Sequence, residues 1–528
     1  MLRISVTNRF TRPARALAAA LLFALAAGFS QPAAAQDYIS KVNGMYADIP
    51  ADRRSDSILI PALKDLEPVP ASIRELEKAR LLVPGMQAWN EAVAWATKPA
   101  QQAAIVALRK ATEPVKSGTP MAWGQAYGVA AVTPDLVKAG LYTELGDPPL
   151  LSAAQFLYLP KLDALAVLIN VEATRLQSES KINDALGLMG RLLALGRQIS
   201  DRQFFKESRW GLRTMISSLE RIRDIAYLDF RGKQELTAEQ IRIGIQRLEG
   251  TADLRIDRIL MPQADLIGAD QAVALVMVPR AGVNERTFPT TMALLTSAER
   301  PLRLFSEAAS WKGAGSGHAD WATTTDEVKK LGDDYKKRWP LEWFHTLNSL
   351  PFERSKMDAN QFAILSATVP DIGELFNLRQ AVRVEIVGTR QSLGIVGFFY
   401  ARKQFPPKLS SIAPEWMPRL DTDPYNPNIQ NNAKPPLEYF VPIRDTHFDK
   451  SKDPVPHEIK IVSGDGVNFA AKVRDDNCII YSVGSDNKPN FADRVQNTVE
   501  KVPDVDYLLW PSVLSLYRQH LKELGDLK

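Results

Sequence analysis

The sequence predicts a mainly α-helical protein, an irregular helical bundle or solenoid, followed by a small α+β module of one long helix and an antiparallel sheet. Three observations carry this expectation. From about residue 71 to residue 304, apolar side chains recur three and four residues apart, the spacing of one helix face. Leu375, Leu378, Val382, Ile386, Leu393, Val396 and Tyr400 continue that spacing along one last, longer run. After Pro406 and Pro407 the pattern changes to short runs bounded by turn residues, the mark of strands. A chain of 528 residues, 45% of them hydrophobic, is long enough to bury the cores of two or more domains.

Taken in order, Gln36–Ser55 reads as an extended lead-in. Ile73, Leu76, Ala79 and Leu82 start a stripe that Val83-Pro-Gly ends, and Met86–Thr112 resumes it. Leu157 to Val171, Ile182 to Leu195 and Trp210 to Ile225 make three thick apolar helices. The pair 181–200 and 209–228 is similar to a two-helix solenoid unit, without a strict repeat period. Thr237-Ala-Glu-Gln predicts a capping box, in which the Thr237 oxygen takes the third amide and Gln240 reaches back. Trp311-Lys-Gly-Ala-Gly-Ser-Gly-His318 reads as a linker or exposed loop, because three glycines in five residues favour neither helix nor strand. Thr324–Trp339 is a charged helix, and Pro340–Pro370 is irregular and rich in aromatics. Glu458–Val462 and Val467–Val473 form a hairpin around Ser463-Gly-Asp-Gly, and Asn477–Val483 is a third strand. Pro511 opens a final helix that buries Val513, Leu514, Tyr517, Leu521 and Leu524. The expected divisions are 1–35, 36–305, 306–370 (a linker with irregular helix) and 371–528.

The first division reads as a secretory signal. Arg3, Arg9, Arg12 and Arg15 precede the apolar run Ala16–Phe29, and Ala33-Ala-Ala35 offers a cleavage site before Gln36. The run is shorter than the roughly 20 residues of a membrane span, so no stable transmembrane segment is expected after cleavage, and the location is periplasmic or secreted. Without the four arginines of residues 1–35, 61 basic side chains face 61 acidic ones. With that balance and no basic stripe interleaved with aromatics, nucleic acid is not an expected partner. The one cysteine, Cys478, permits no intrachain disulfide and reads as a buried strand residue.

The last third carries several unusual motifs in one order. Leu375–Tyr400 is followed by Gln404-Phe-Pro-Pro-Lys-Leu-Ser-Ser, then Asp421-Thr-Asp-Pro-Tyr-Asn, Leu437-Glu-Tyr-Phe and Ile480-Tyr-Ser-Val-Gly-Ser-Asp-Asn. This order resembles the globular head of the type II secretion major pseudopilin, a long helix followed by a small sheet closed by such a turn. The whole chain is similar to exported bacterial helical proteins that carry such a tail. The resemblance implies the head fold without a filament. The helix is internal, no prepilin cleavage sequence precedes it, and Arg379, Arg383, Glu385 and Arg390 would be costly in lipid. In that family the loop binds calcium, which implies Asp486 and Asp493 as metal ligands here. This chain departs from the pattern at Asn487, which replaces a glycine, and at Lys488-Pro-Asn-Phe491, which replaces an acidic continuation. Calcium takes about six to eight oxygens. Read from the residues alone, the loop is a turn in which Asp486 caps local amides.

No residue set announces catalysis. His318, His345, His447, His457 and His520 form no pair at metal-ligand spacing. Gly313-Ala-Gly-Ser-Gly317 lacks the strand-to-helix setting of a nucleophile elbow. Gly187-Leu-Met-Gly is not accompanied by the Glu-Ser signature of lytic transglycosylases, and Glu207-Ser208 lies downstream of it. No catalytic or cofactor-binding residues are assigned, and no cofactor other than the calcium of the resemblance. The function expected is that of an exported, non-enzymatic envelope protein, a helical scaffold whose pseudopilin-like head acts through protein partners. The alternative is a hydrolase of envelope polymers with a cleft between helical region and head.

Overall fold

The computed structural model describes residues 32–115, 118–249, 254, 256–297, 304–428, 434–449, 451–462, 468–496 and 505–527. Its centre is three consecutive helices, α1 (Leu159–Ser178), α2 (Ile182–Ser200) and α3 (Phe205–Arg231). Their apolar stripes meet as the periodicity requires, with Leu165, Leu168, Leu192, Leu195, Leu212, Met215 and Leu219 fully or almost fully buried. The backbones of α2 and α3 come close where Gly196 faces Gly211. A Cβ on Gly211 would lie 2.4 Å from the Ser200 nitrogen, so only glycine fits. The capping box forms as expected ahead of α4 (Ala238–Arg247). Thr237 Oγ1 accepts the Gln240 amide at 3.2 Å, and Gln240 Oε1 accepts the Thr237 amide at 2.9 Å.

Two expectations are corrected on this side of the molecule. Residues 36–55 are not extended: a helix spans Pro32–Gly44 and a short turn spans Ala51–Arg53. The chain is held there by tertiary contacts. Val42 and Tyr46 are buried, and the Tyr46 hydroxyl accepts the Gln203 amide at 3.0 Å and bonds Tyr127 at 3.1 Å. Nor is 311–318 a linker: a helix spans Leu304–Ala314 and ends in a 3-10 turn, Gly315–Gly317. Gly315 lies against Val283 and Phe288, where a Cβ would come within 3.0 Å of the valine, so close packing accounts for that glycine better than flexibility does. The charged helix is α5 (Trp321–Arg338), and residues 340–370 hold three short helical turns.

The C-terminal part is the expected α+β module. Helix α6 (Gly373–Arg402) ends at Lys403 in a left-handed conformation (φ 56°), just before Pro406. Six strands follow: β1 (Glu438–Phe440), β2 (His457–Val462), β3 (Asn468–Val473), β4 (Ile479–Ser482), β5 (Arg494–Gln496) and β6 (Asp506–Trp510). They form one sheet in the order β1-β4-β6-β5-β2-β3. The ladders β1–β4, β4–β6 and β2–β3 are antiparallel; β2, β3 and β4 match the three strands the sequence predicts, whereas β6 is not among them. The short β5 pairs in parallel with both β2 and β6, so the sheet is mixed. The predicted turn 463–466 lies outside the described residues. Helix α7 (Val513–Leu524) starts after Ser512, whose hydroxyl accepts the Ser515 amide, rather than at Pro511.

Successive residues of β4 and β6 enter opposite layers, as the period of two demands. Ile480, Tyr507 and Leu509 join α6 and the helical body in one apolar core, which runs from Val42 to Trp510. Ile479, Tyr481 and Leu508 join Phe440, Ile459, Ile461 and Leu516 in a second core beneath α7. Among the described residues no helix is long and apolar enough to cross a membrane.

Candidate functional site: the buried junction and the module loop

Helix α3 carries a row of charges that its apolar stripe conceals in the sequence. Glu207, Glu220, Arg221, Arg223, Asp224 and Asp229 are all buried. Each is matched by a partner from another part of the chain. Arg223 pairs with Glu385 of α6 and donates to Thr389 Oγ1 at 2.8 Å, while the Tyr507 hydroxyl of β6 donates to the same carboxylate at 2.7 Å. Asp224 accepts from Arg518 of α7 at 2.8 and 2.9 Å, from Ser512 at 2.9 Å, from Ser515 at 2.6 Å, and from Arg221. Arg80 pairs with Glu220, and Arg518 also donates to the Arg80 carbonyl at 2.6 Å. Asp229 accepts the Tyr400 hydroxyl at 2.8 Å. Burial pushes the Asp224 carboxyl up, but Arg518 and Arg221 outweigh it and hold the group below the ordinary carboxylate range. Burial pushes Arg221 down to about 10 against the pull of Asp224.

The first turn of α3 closes the other end of the body in the same way. Arg202 lies between the rings of Tyr46 and Tyr127, at 4.3 and 4.2 Å, and donates to Glu207 at 2.9 Å. Tyr127 and Tyr158 donate to the same carboxylate. The Arg223–Glu385 and Asp224–Arg518 pairs sit between the helical region and the module, where a cleft was the alternative expectation. Their carboxylates are occupied by guanidinium and hydroxyl groups, an arrangement that joins surfaces and fixes geometry.

The module loop is the second place where polar groups converge. The two motifs quoted for the resemblance meet here. Arg390 of α6 holds Asp421 at 2.5 Å, and Asp423 accepts the Ser482 hydroxyl at 2.7 Å, the Tyr425 amide at 2.9 Å and the Val483 amide at 3.1 Å. Gly484 has φ 74°, and a Cβ there would lie 2.4 Å from the Val505 carbonyl oxygen. Asn487 takes the left-handed conformation (φ 57°) that its replacement of glycine suggests. Asp486 accepts the Lys488 amide at 3.1 Å, the local cap read from the residues. Asp493 instead faces His457, 3.6 Å away. Among the described residues, no group of three or more His, Cys, Asp or Glu side chains is placed to hold a metal.

Sequence reasoning missed Asp423 and Asp506 as the loop's organising carboxylates. Asp506 accepts the Ala492 amide at 2.8 Å and the Asn490 amide at 3.2 Å, which closes the turn from the β6 side. The Asp-Pro-Tyr motif was a signal for the first of them. For Asp506 the only signal was a carboxylate inside an otherwise apolar strand. Burial raises Asp423 to about 6, and burial, with Asp486 and Glu438 nearby, raises Asp506 to about 7. A raised carboxyl stabilises the fold fully below its unfolded value of about 4, and that contribution is lost as pH rises through the folded value. The module is therefore expected to lose stability between about pH 4 and pH 7 on account of these two groups. Melting profiles of the full chain and of Asp506→Asn check this, since the variant should show a flatter pH dependence across that window. Cys478 is buried, and burial raises its thiol far above the ordinary range, which fits a packed strand-end residue.

No family model matches the chain, and neither a curated protein nor a solved structure does.

Proposed function

We propose that the protein is an exported envelope protein that works by protein contact, its helical body holding a pseudopilin-like module in a fixed orientation. The observation that carries this reading is the connection from β1 to β2, described at residues 441–449 and 451–456. Phe448 is 87% exposed there and Val455 72% exposed, in a module whose other large apolar side chains are mostly buried. The base of the connection is rigid. Asp445 accepts the Val441 amide at 2.7 Å, Thr446 Oγ1 accepts the Ile443 amide at 3.0 Å, and Arg444 donates to the Pro406 carbonyl at 3.0 Å. Ile443 has φ 67°, a conformation that a β-branched side chain adopts at a cost. Strain of this kind, next to exposed apolar groups, supports a recognition role. The amino-terminal signal pattern supports export. The occupied carboxylates of the junction favour contact over hydrolysis.

A photoreactive phenylalanine analogue at position 448, in the native host, is expected to trap one envelope protein. Phe448→Ser is expected to leave the melting temperature unchanged and to lose the complex. Failure to trap any protein, or a complex that survives Phe448→Ser, contradicts the reading.

A further inference from the structure

Among the described residues the outer edge of β3 has no neighbouring strand, and its geometry is self-complementary. Lys460 of β2 donates its amide to the Asp493 carbonyl of β5 at 2.9 Å, so its backbone groups point away from β3. Lys460 lies opposite Ala470 in an antiparallel ladder without register shift. Ala470 is therefore in a non-hydrogen-bonded pair, and its own N–H and C=O point outward. By the period of two, those of Asn468 and Lys472 do as well. Among the described residues no strand takes up these groups.

We infer that β3 pairs with β3 of a second copy of this chain, antiparallel and centred on Ala470. That register places Ala470 opposite its symmetry mate and Asn468 opposite Lys472 of the other copy. All the outward amides and carbonyls of the three residues then find partners. The side chains agree with the register. Lys472 lies across from Glu458 on β2, a residue of opposite charge at the facing position. Across the twofold it meets an asparagine, and no like charges are brought face to face. On the opposite layer Phe469 meets Ala471, large against small. There Phe469 packs at a tilt on Tyr517 and stacks on His520 of α7, at 5.4 and 5.1 Å, and Leu524 at the end of that helix is 60% exposed. Pairing would continue the sheet across the axis and bring this aromatic and leucine surface against its copy. An isolated edge strand is normally blunted by charge, proline or a bulge. Here the centre of the strand is Ala470-Ala471, and Lys472 is its one charge.

This inference does not rest on the 441–456 connection. The test uses the full chain from Gln36. Light scattering after gel filtration should give the dimer mass, and Ala470→Pro should give the monomer mass. Proline there removes an outward N–H and no bond to β2, so circular dichroism and melting should stay near those of the parent. Ala470→Cys should cross-link under mild copper-phenanthroline oxidation, because Cys478 is buried. Lys460→Cys should not, since the two positions would lie three strand spacings apart, roughly 14 Å, beyond the reach of a disulfide. A monomeric parent, a dimer that persists in folded Ala470→Pro, or equal cross-linking from 460 and 470 overturns the pairing.

Discussion

Replacing Asp224 by alanine is expected to destabilise the protein by about 3–5 kcal/mol, the cost of stripping a buried charge of its partner. Asp224 is wholly buried and accepts from two arginines and two serines. Without it, Arg221 and Arg518 face each other in a site that burial has already made unfavourable to positive charge. Urea unfolding of the parent and the variant measures the loss. The same carboxyl gives an acid dependence of the opposite sign to that of the module loop. Its folded value is lowered, so its stabilisation is present above the unfolded value of about 4 and is lost as pH falls through the folded one. A loss below about 1 kcal/mol would place Asp224 among surface ion pairs in its effect.

The second large effect is expected at Glu385. Glu385→Ala takes from Arg223 its carboxylate partner, leaving it Thr389, and from the Tyr507 hydroxyl its acceptor, inside the junction between α3, α6 and β6. The expected cost is again about 3–5 kcal/mol. Adding Arg223→Met to Glu385→Met should return a substantial part of it, because apolar groups of similar volume remove the uncompensated charge. The double-mutant cycle should then show a coupling of about 0.5–3 kcal/mol. Additive losses would mean that the two side chains do not act as a pair.

Where local chemistry decides, the sequence is a good guide. The capping box at Thr237 needs only four consecutive residues, and α6 shows its length through its own spacing and its stop before Pro406. Asn487 adopts the turn conformation that its side chain tolerates. The misreadings arise where a distant partner decides. Arg379 and Arg390 lie off the apolar stripe of α6, and nothing near them in the sequence places them inside. Both are buried. Arg379 lies 4.0 Å over the Trp339 ring, and Arg390 pairs with Asp421. Asp224 and Arg518 are 294 residues apart, so nothing in the neighbourhood of either announces the other. The lead-in at 36–55 fails for the same reason, since Asn43 of its helix bonds the Tyr127 backbone and Tyr46, just past the helix, bonds the Gln203 amide. The module loop was legible as a turn. Its two raised carboxyls became visible only when β6 and the 421–426 segment were brought together.

On the proposed reading, the ion pairs along α3 make body and module one mechanical unit, so that the module's exposed connection is presented at a fixed angle. Native-state hydrogen exchange of the full chain, followed by mass spectrometry across a denaturant series, tests it most directly. The amides of β4 and β6 should exchange with the same opening free energy and the same denaturant dependence as those of α3, and Asp224→Ala should lower both together. Sheet amides that exchange through an opening of their own, while α3 stays protected and Asp224→Ala leaves them unchanged, would contradict it.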